Sequence, residues 1–249
     1  MPSVTAIIPA RYDSVRFPGK VLADHTGKPL IQHVHERAKM AKLIDRIIVA
    51  TDDERIVRAV KGFGGEAVMT RRDHANGTSR IAEAAATLNT SMIVNVQGDE
   101  PEIEPSLIDR AIQMLIDHPE CPIATLASPF AADEDPHDPN IVKVVIDQAG
   151  RALYFSRALI PFDRDGDSSP GDDPAMHPLK HVGLYVYRRE FLAKYVALSP
   201  TPLEQAEKLE QLRVLEHGYP IAVALGESHH HGIDTREQYE AFVKRQKGR

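Results

Sequence analysis

Short apolar runs alternate with amphipathic stretches in the first part of the chain. The runs suit a parallel sheet covered on both faces; they are Val4–Ile8, Arg46–Thr51, Glu66–Met69 and Met92–Gln97. Between them, apolar residues recur at helical spacing around Leu30, Ile56 and Ile81. This βαβαβ order predicts a doubly wound, mostly parallel α/β sheet.

The pattern changes after Pro122, where strands follow one another more closely. Asp147–Gly150 has the composition of a hairpin turn. The predicted strands here are Ile123–Phe130, Ile141–Ile146, Ala152–Ser156, Val182–Tyr187 and Pro220–Leu225. We therefore predict one domain over residues 1–249, with a smaller hairpin-containing subregion at about 123–190.

Two helices are predicted near the end of the chain. Thr201-Pro202-Leu203-Glu204 is a capping box that opens a long helix closed by Gly218. A terminal helix begins at Asp234. The stretch Asp163–Pro178 is rich in Asp, Gly, Ser and Pro, which predicts a loop.

Composition narrows the functional classes. The chain has 249 residues, 42% of them hydrophobic, so it can bury a sizeable core. Its net charge of −6 argues against a general nucleic-acid binder, so a site for a polyanion must be a local cluster of cations. Cys121 is the only cysteine, and no run is long enough to span a membrane. We expect a cytoplasmic protein that neither binds nucleic acid nor enters a membrane.

The loop after the first strand carries Arg11, Arg16 and Lys20, with Gly19 beside the lysine. In a doubly wound sheet, ligands bind beyond the carboxyl ends of the strands. Arginine forks and a compact lysine charge suit a triphosphate. The alternative is a solvated basic loop.

A second loop, Arg71–Arg80, also joins a strand to a helix. Backbone N–H groups at the helix start can bind a base edge or a phosphate. The alternative is simple helix capping by Asn76 or Thr78.

Carboxylates occur at two further loops. Asp99 and Glu100 follow the fourth strand, and carboxylates beside a triphosphate imply a magnesium ion between them. Asp99 is the preferred ligand, because Pro101 restricts Glu100. Asp234 has capping-box spacing with Glu237, so composition alone favours a cap over a metal ligand.

An ordered set of motifs resembles the 3-deoxy-manno-octulosonate (Kdo) cytidylyltransferases, or CMP-Kdo synthetases, over nearly the whole chain. The matching stretches are Ile7–Tyr12, Phe17–Lys20, Asp73-His74-x-x-Gly77-Thr78-x-Arg80, Val94–Pro101, Leu153–Arg157, Leu209–Arg213 and Ile233–Thr235. The resemblance implies a Rossmann-like nucleotide-diphospho-sugar transferase fold. It implies transfer of CMP from CTP to Kdo for lipopolysaccharide synthesis, with Mg²⁺ as cofactor and a homodimer formed partly through the hairpin region.

The resemblance also implies roles for individual residues. Arg11, Lys20, Asp99 and Asp234 match the catalytic positions, and the two aspartates match the metal ligands. The CTP-binding positions are Ala10, Arg11, Lys20, Arg71, Gly77, Thr78 and Gln97. The sugar-binding positions are Gln97, Arg157, His181, Tyr185, Glu210 and Gln211.

Physical chemistry agrees with several of these roles. The Kdo carboxylate needs a cation, and Arg157 can serve as a bidentate clamp, with a surface arginine at a strand end as the alternative. His181 and Tyr185 point to the same face if they lie on one strand, and the alternative is a core tyrosine with a satisfied histidine. Glu210 and Gln211 lie on the predicted long helix, with Glu207 one turn earlier. Acid and amide side chains at these positions could bind sugar hydroxyls. The alternative is a solvated helix face paired with Arg213 or Lys208.

Two departures from the family pattern stand out. Ser79 occupies a position where the family usually has Glu or Asp, and His229-His230-His231 replaces a Pro/Gly-rich approach to Asp234. Other possibilities are transfer to 8-amino-Kdo or another keto-sugar acid, and a non-catalytic nucleotide-binding module. A hexose-1-phosphate enzyme is disfavoured, because the first loop lacks a glycine-rich Gly-x-Gly pattern.

Overall fold

The computed structural model describes residues 2–13, 16–164, 177–228 and 232–248. The chain divides into two compact units, Met1–Asp109 with His230–Arg249, and Arg110–His229. No helix in the described ranges is long and apolar enough to cross a membrane. Most of the Asp163–Pro178 loop (165–176) and the His229–His231 run lie outside the described residues.

The first unit contains a parallel sheet in the order β3-β2-β1-β4. Its strands are β1 (Val4–Ala10), β2 (Arg46–Thr51), β3 (Glu66–Met69) and β4 (Met92–Asn95). Ile7 and Ile8 are fully buried on the central strand. The predicted parallel strands are confirmed, although β4 ends two residues earlier than expected.

Helices connect and follow these strands. They are α1 (Leu30–Lys39), α2 (Glu54–Gly62), α3 (Gly77–Ala85) and α4 (Pro105–Asp117), with a 3-10 helix at Lys20–Leu22. The boundary between the two units falls within α4. Apolar faces at helical spacing produce this arrangement, because each helix buries its apolar stripe, as Ile56 and Val60 do in α2.

The described part of the second unit contains five strands: β5 (Ile123–Pro129), β6 (Lys143–Ile146), β7 (Ala152–Ser156), β8 (Leu179–Arg188) and β9 (Ile221–Leu225). Strand β5 pairs antiparallel with β8 and parallel with β9. Strand β6 pairs antiparallel with β7 and β8. The predicted hairpin turn is confirmed, since Gly150 N donates to Asp147 O at 3.0 Å and Gly150 has a φ of 73°.

The predicted long helix closed by Gly218 is wrong. After α5 (Arg189–Ala197), two short helices occupy that stretch, α6 (Pro202–Glu207) and α7 (Gln211–Glu216). The Thr201–Glu204 capping box is present, but Lys208 adopts a left-handed conformation with φ 57° and ends α6. Glu207 and Glu210 therefore do not share one helix face. The apolar residues on both sides of Lys208 have helical spacing. The sequence pattern therefore did not reveal that the backbone conformation of Lys208 ends the helix.

The capping prediction for Asp234 is also wrong. The terminal helix α8 (Arg236–Lys247) is capped by Thr235, whose side chain accepts from Gln238 N in a capping box. The cap thus lies one residue later than the Asp234–Glu237 spacing indicated. The Asp234 carboxylate is consequently not used as a helix cap.

Candidate active site

Lys20 lies between Asp99 and Asp234, two aspartates that are far apart in the sequence. Its Nζ donates to Asp99 Oδ2 at 2.9 Å, Asp234 Oδ1 at 3.2 Å and the Ile233 carbonyl at 2.7 Å. The Lys20 side chain is only 10% exposed, whereas the two carboxylates are 30% and 41% exposed. The structure therefore brings Lys20, Asp99 and Asp234 together at one partly open site in the first unit.

Backbone contacts fix this cluster. Ile233 N donates to the Asp99 carbonyl at 2.8 Å, which ties the two aspartate loops to each other. A Cβ at Gly98 would lie 2.7 Å from the Pro9 carbonyl, so only glycine lets the Asp99 loop approach β1 this closely. Ile233 also packs in a buried cluster with Phe17, Leu30, Tyr239 and Phe242. Packing of α8 consequently places Asp234.

The donor atoms fit a magnesium ion. Asp99 and Asp234 each place a carboxylate oxygen within 3.2 Å of the same nitrogen, so one cation can be shared by both. Mg²⁺ binds through one or two carboxylates and completes its shell with water and phosphate oxygens. Asp99 and Asp234 are the residues that would hold it.

Glu100 lies next to Asp99 in the same loop. Its Oε2 atom is buried and has no hydrogen-bond partner in the part of the chain that the structure describes. Burial, helped by the charge of Asp99, raises the pKa of Glu100 to about 8.

Arg16 is a cation of the first loop that the family match did not place in the site. Its Nη2 lies 2.9 Å from Asp234 Oδ2, and its side chain is 66% exposed. The spacing of the basic loop was the available signal, since Arg16 lies four residues before Lys20. Arg16 is therefore a second cation in contact with Asp234, beside the buried Lys20.

The first loop is joined to the second by Arg11. Its Nη2 donates to the His74 carbonyl at 2.8 Å. His74 itself is buried, with Nε2 2.5 Å from Glu83 Oε2 and Nδ1 3.2 Å from Ser79 Oγ. Ser79, the departure from the family pattern, thus contacts a histidine through its hydroxyl.

Helix α3 begins directly after Asn76. The Asn76 side chain accepts from Ser79 N at 2.9 Å, so the capping alternative is confirmed for Asn76. Gly77 is the first helical residue and Thr78 is buried. Arg80 of the same motif is fully buried and pairs with Asp52 at 2.6 Å, which makes it a structural residue.

The remaining residues predicted to bind the nucleotide lie in or next to these loops. Ala10 is buried at the end of β1. Arg71 is 69% exposed, and Glu83 holds its backbone N and its Nε, both at 3.2 Å. Gln97 Nε2 lies 3.4 Å from Asn95 Oδ1 just beyond β4.

Within the second unit, His181 and Tyr185 lie on β8 with their ring centroids 5.4 Å apart. A β-bulge opposite Thr125 and Leu126 interrupts the register between them, yet the two rings remain neighbours. Burial lowers the pKa of His181 to about 4 and raises that of Tyr185 well above its usual value. His181 is therefore neutral at pH 7, and its Nε2 lies 2.9 Å from Thr125 Oγ1.

Aromatic rings extend this pair in both directions. Phe155 stands edge-on to His181 at 5.1 Å, Tyr187 stacks on Tyr185 at 5.9 Å, and Tyr195 stacks on Tyr187 at 6.1 Å. The sequence analysis missed this row, because its members come from β7, β8 and α5. Alternating tyrosines at 185 and 187 were the only local signal.

Arg157 follows β7, and its guanidinium is held by backbone. Nε donates to the Glu207 carbonyl at 2.8 Å and Nη1 to the Pro139 carbonyl at 2.9 Å. Nη2 has no hydrogen-bond partner among the described residues. Only Nη2 is therefore left for a ligand, in contrast with the free bidentate fork expected from the sequence.

Glu210 and Gln211 stand at the start of α7. The Glu210 carbonyl accepts from Tyr195 Oη at 3.2 Å, and Gln211 is buried. Arg213 pairs with Glu204, with Nε 2.7 Å from Oε2. Arg213 is therefore engaged by Glu204.

The fold and the first site fit a nucleotidyltransferase, with acids and cations gathered beside a parallel sheet. The family model described as cytidylyltransferase matches residues 5–224. The chain belongs to the cytidylyltransferase family.

Similar proteins agree in fold and in length. The 3-deoxy-manno-octulosonate cytidylyltransferase of Syntrophobacter fumaroxidans is 54% identical over 243 residues, covering 96% of this chain and 95% of that protein. The protein of the same name from Geobacter sulfurreducens is 50% identical, covering 98% of this chain and all of that protein. A solved CMP:2-keto-3-deoxy-manno-octonic acid synthetase complexed with CTP superposes with a TM-score of 0.92 at 41% identity, covering 99% of both chains. The nucleotidyltransferase fold and enzyme class are thereby confirmed.

Proposed function

We propose that this enzyme transfers CMP from CTP to Kdo, forming CMP-Kdo and pyrophosphate for lipopolysaccharide synthesis. The observation that carries the proposal is the contact of Lys20 with both Asp99 and Asp234, since it unites a leaving-group cation with a magnesium ligand pair. Relatives that carry the Kdo cytidylyltransferase name match the chain over nearly its full length.

The reaction proceeds by attack of the anomeric hydroxyl of Kdo on the α-phosphorus of CTP. A new P–O bond forms as the bond to pyrophosphate breaks, and the hydroxyl proton passes to solvent. When bound, Mg²⁺ neutralises phosphate charge and lowers the pKa of the attacking hydroxyl. Catalysis of this kind is mainly positioning and electrostatics, so no protein nucleophile is required.

Residues of the first unit hold the nucleotide. Lys20 and Arg11 stabilise the negative charge that develops on pyrophosphate. Arg16 is available to join them, since its guanidinium is exposed beside Asp234. The α3 start, with Gly77 and Thr78, presents backbone N–H groups toward cytidine.

Residues of the second unit bind the sugar acid. Arg157 Nη2 receives the carboxylate. His181 and Tyr185 offer a neutral polar edge and an aromatic surface to the sugar ring, and the Glu210 and Gln211 side chains bind hydroxyls. These assignments, with Gln97 at the end of β4, follow the family match residue by residue.

A homodimer and a cytoplasmic location complete the proposal. Leu153 on β7 and Phe162 just beyond it are 62% and 82% exposed, which supports an apolar contact through the hairpin region. Sedimentation analysis of wild type and Leu153→Glu tests the dimer, with a monomeric mutant expected. An unchanged mutant dimer would remove the hairpin from the interface.

The experiment that tests the function is a pyrophosphate-release assay with CTP, Mg²⁺ and a panel of keto-sugar acids. Kdo should give the highest kcat/KM, ahead of 8-amino-Kdo and sialic acid, and replacement of CTP by ATP should abolish release. Absence of release with Kdo, or faster release with another sugar acid, would contradict the proposed substrate.

A further inference from the structure

Lys143 is a buried cation that the proposed reaction does not use. Its side chain is fully buried on β6, and its Nζ donates to three backbone carbonyls, those of Asp138 at 3.0 Å, Ile141 at 2.7 Å and Arg157 at 2.6 Å. A lysine offers three N–H donors only when it is protonated, so this arrangement needs the ammonium form. Buried lysines are rare without such satisfaction.

The three carbonyls belong to two separate segments. Asp138 and Ile141 precede β6, whereas Arg157 follows β7. Arg157 returns a bond to the first segment, because its Nη1 donates to the Pro139 carbonyl at 2.9 Å. Lys143 and Arg157 therefore hold the 138–141 segment from two sides and fix each other's position.

Glu207 supplies the other half of this network. Its Oε2 accepts from Arg157 N at 2.9 Å, and its Oε1 accepts from Ser156 Oγ at 2.6 Å. Its carbonyl accepts from Arg157 Nε at 2.8 Å. The left-handed Lys208 directly after it turns the chain so that both the side chain and the carbonyl of Glu207 reach Arg157.

We propose that Lys143 and Glu207 are positioning residues that hold Arg157 Nη2 in place for the carboxylate of the sugar acid. This inference rests on the proposed function. It gives a role to the buried Lys143 and to the helix break at Lys208. Neither residue touches the substrate. Each acts through Arg157, which donates three of the bonds described above and accepts the fourth, from Lys143, at its carbonyl.

The test is a double-mutant cycle measured with CTP and Kdo. Lys143→Met keeps an unbranched side chain one atom shorter and removes the three bonds, and Glu207→Gln is a milder second variant that keeps the shape. Both should raise the KM for Kdo roughly 10- to 100-fold with the KM for CTP nearly unchanged. In an Arg157→Met background, Lys143→Met should have no further effect on the KM for Kdo.

Arg188 provides a matched control. It is also a cation of the second unit that donates to three backbone carbonyls, those of Leu115, His118 and Cys121. Arg188→Met should lower the Tm while leaving the KM for Kdo unchanged. This separates loss of stability from loss of positioning.

The following results would contradict the positioning role of Lys143 and Glu207 or the proposed function. Equal effects of Lys143→Met in the wild-type and Arg157→Met backgrounds, or a lowered Tm with an unchanged KM for Kdo, would overturn the positioning role. If Lys143→Met does not fold, Glu207→Gln decides by the same criteria. Wild-type enzyme that releases no pyrophosphate with Kdo would overturn the proposed function itself, and this inference with it.

Discussion

The two units satisfy their key cations in different ways. In the first unit, Lys20 is paired with carboxylates, Asp99 and Asp234, that remain partly exposed. In the second unit, Lys143 and Arg157 are bound by backbone carbonyls. Partly exposed carboxylates can release a lysine and bind a metal ion in its place, and the lysine can then bind phosphate. Backbone carbonyls, in contrast, hold a side chain in one place. The difference indicates an adaptable charged site in one unit and a rigid, preorganised site in the other.

The largest expected effect comes from the adaptable site. Asp99→Asn keeps an acceptor for Lys20 but removes the charge needed for a divalent ion, so kcat should fall about 10³-fold. Steady-state pyrophosphate release measures this. Asp117→Asn, an exposed change on α4, should keep full activity. Near-normal turnover of Asp99→Asn with an intact fold would remove the proposed metal role.

The rigid site should show a pH-dependent stability. Burial lowers the pKa of His181 to about 4, so between that value and the unfolded pKa of about 6.5 the unfolded chain binds an extra proton. Stability is therefore lost as the pH falls through this window, by about 2 kcal/mol between pH 6.5 and 5. Urea unfolding of wild type and His181→Asn should show the loss in wild type only. Parallel losses in both proteins would contradict the burial of the imidazole.

The smallest expected effect tests the helix break beside the rigid site. Lys208 is exposed and left-handed, so Lys208→Gly should raise the free energy of unfolding by about 0.5–1 kcal/mol. The same change at exposed Lys244 within α8 should lower it by about 1 kcal/mol. Urea titration compares the two. A loss at both positions would show that the break does not require a left-handed residue.

Sequence patterns predicted the first unit well because its information is local. Buried strands have continuous apolar runs, and charged residues at strand ends meet at one edge of the sheet. The positions of Lys20 and Asp99 follow from this rule alone. Asp234 needed the family match, because its capping spacing with Glu237 hid that Thr235 is the actual cap.

The second unit was harder to predict because its important contacts join distant backbone atoms. Nothing in the residues around Lys143 indicates that its ammonium binds the carbonyls of 138, 141 and 157. Helical spacing across 202–216 likewise concealed the break at Lys208. Every residue has a backbone carbonyl, whatever its side chain. A site built from carbonyls therefore leaves no pattern in the sequence and can be recognised only in the structure.

The most direct test of the central claim is a Mn²⁺ titration followed by electron paramagnetic resonance, with a non-hydrolysable CTP analogue present. Wild type should bind the ion, and Asp99→Asn and Asp234→Asn should each weaken binding by at least about tenfold. Binding that is equally tight in all three proteins would contradict a metal ion shared between Asp99 and Asp234.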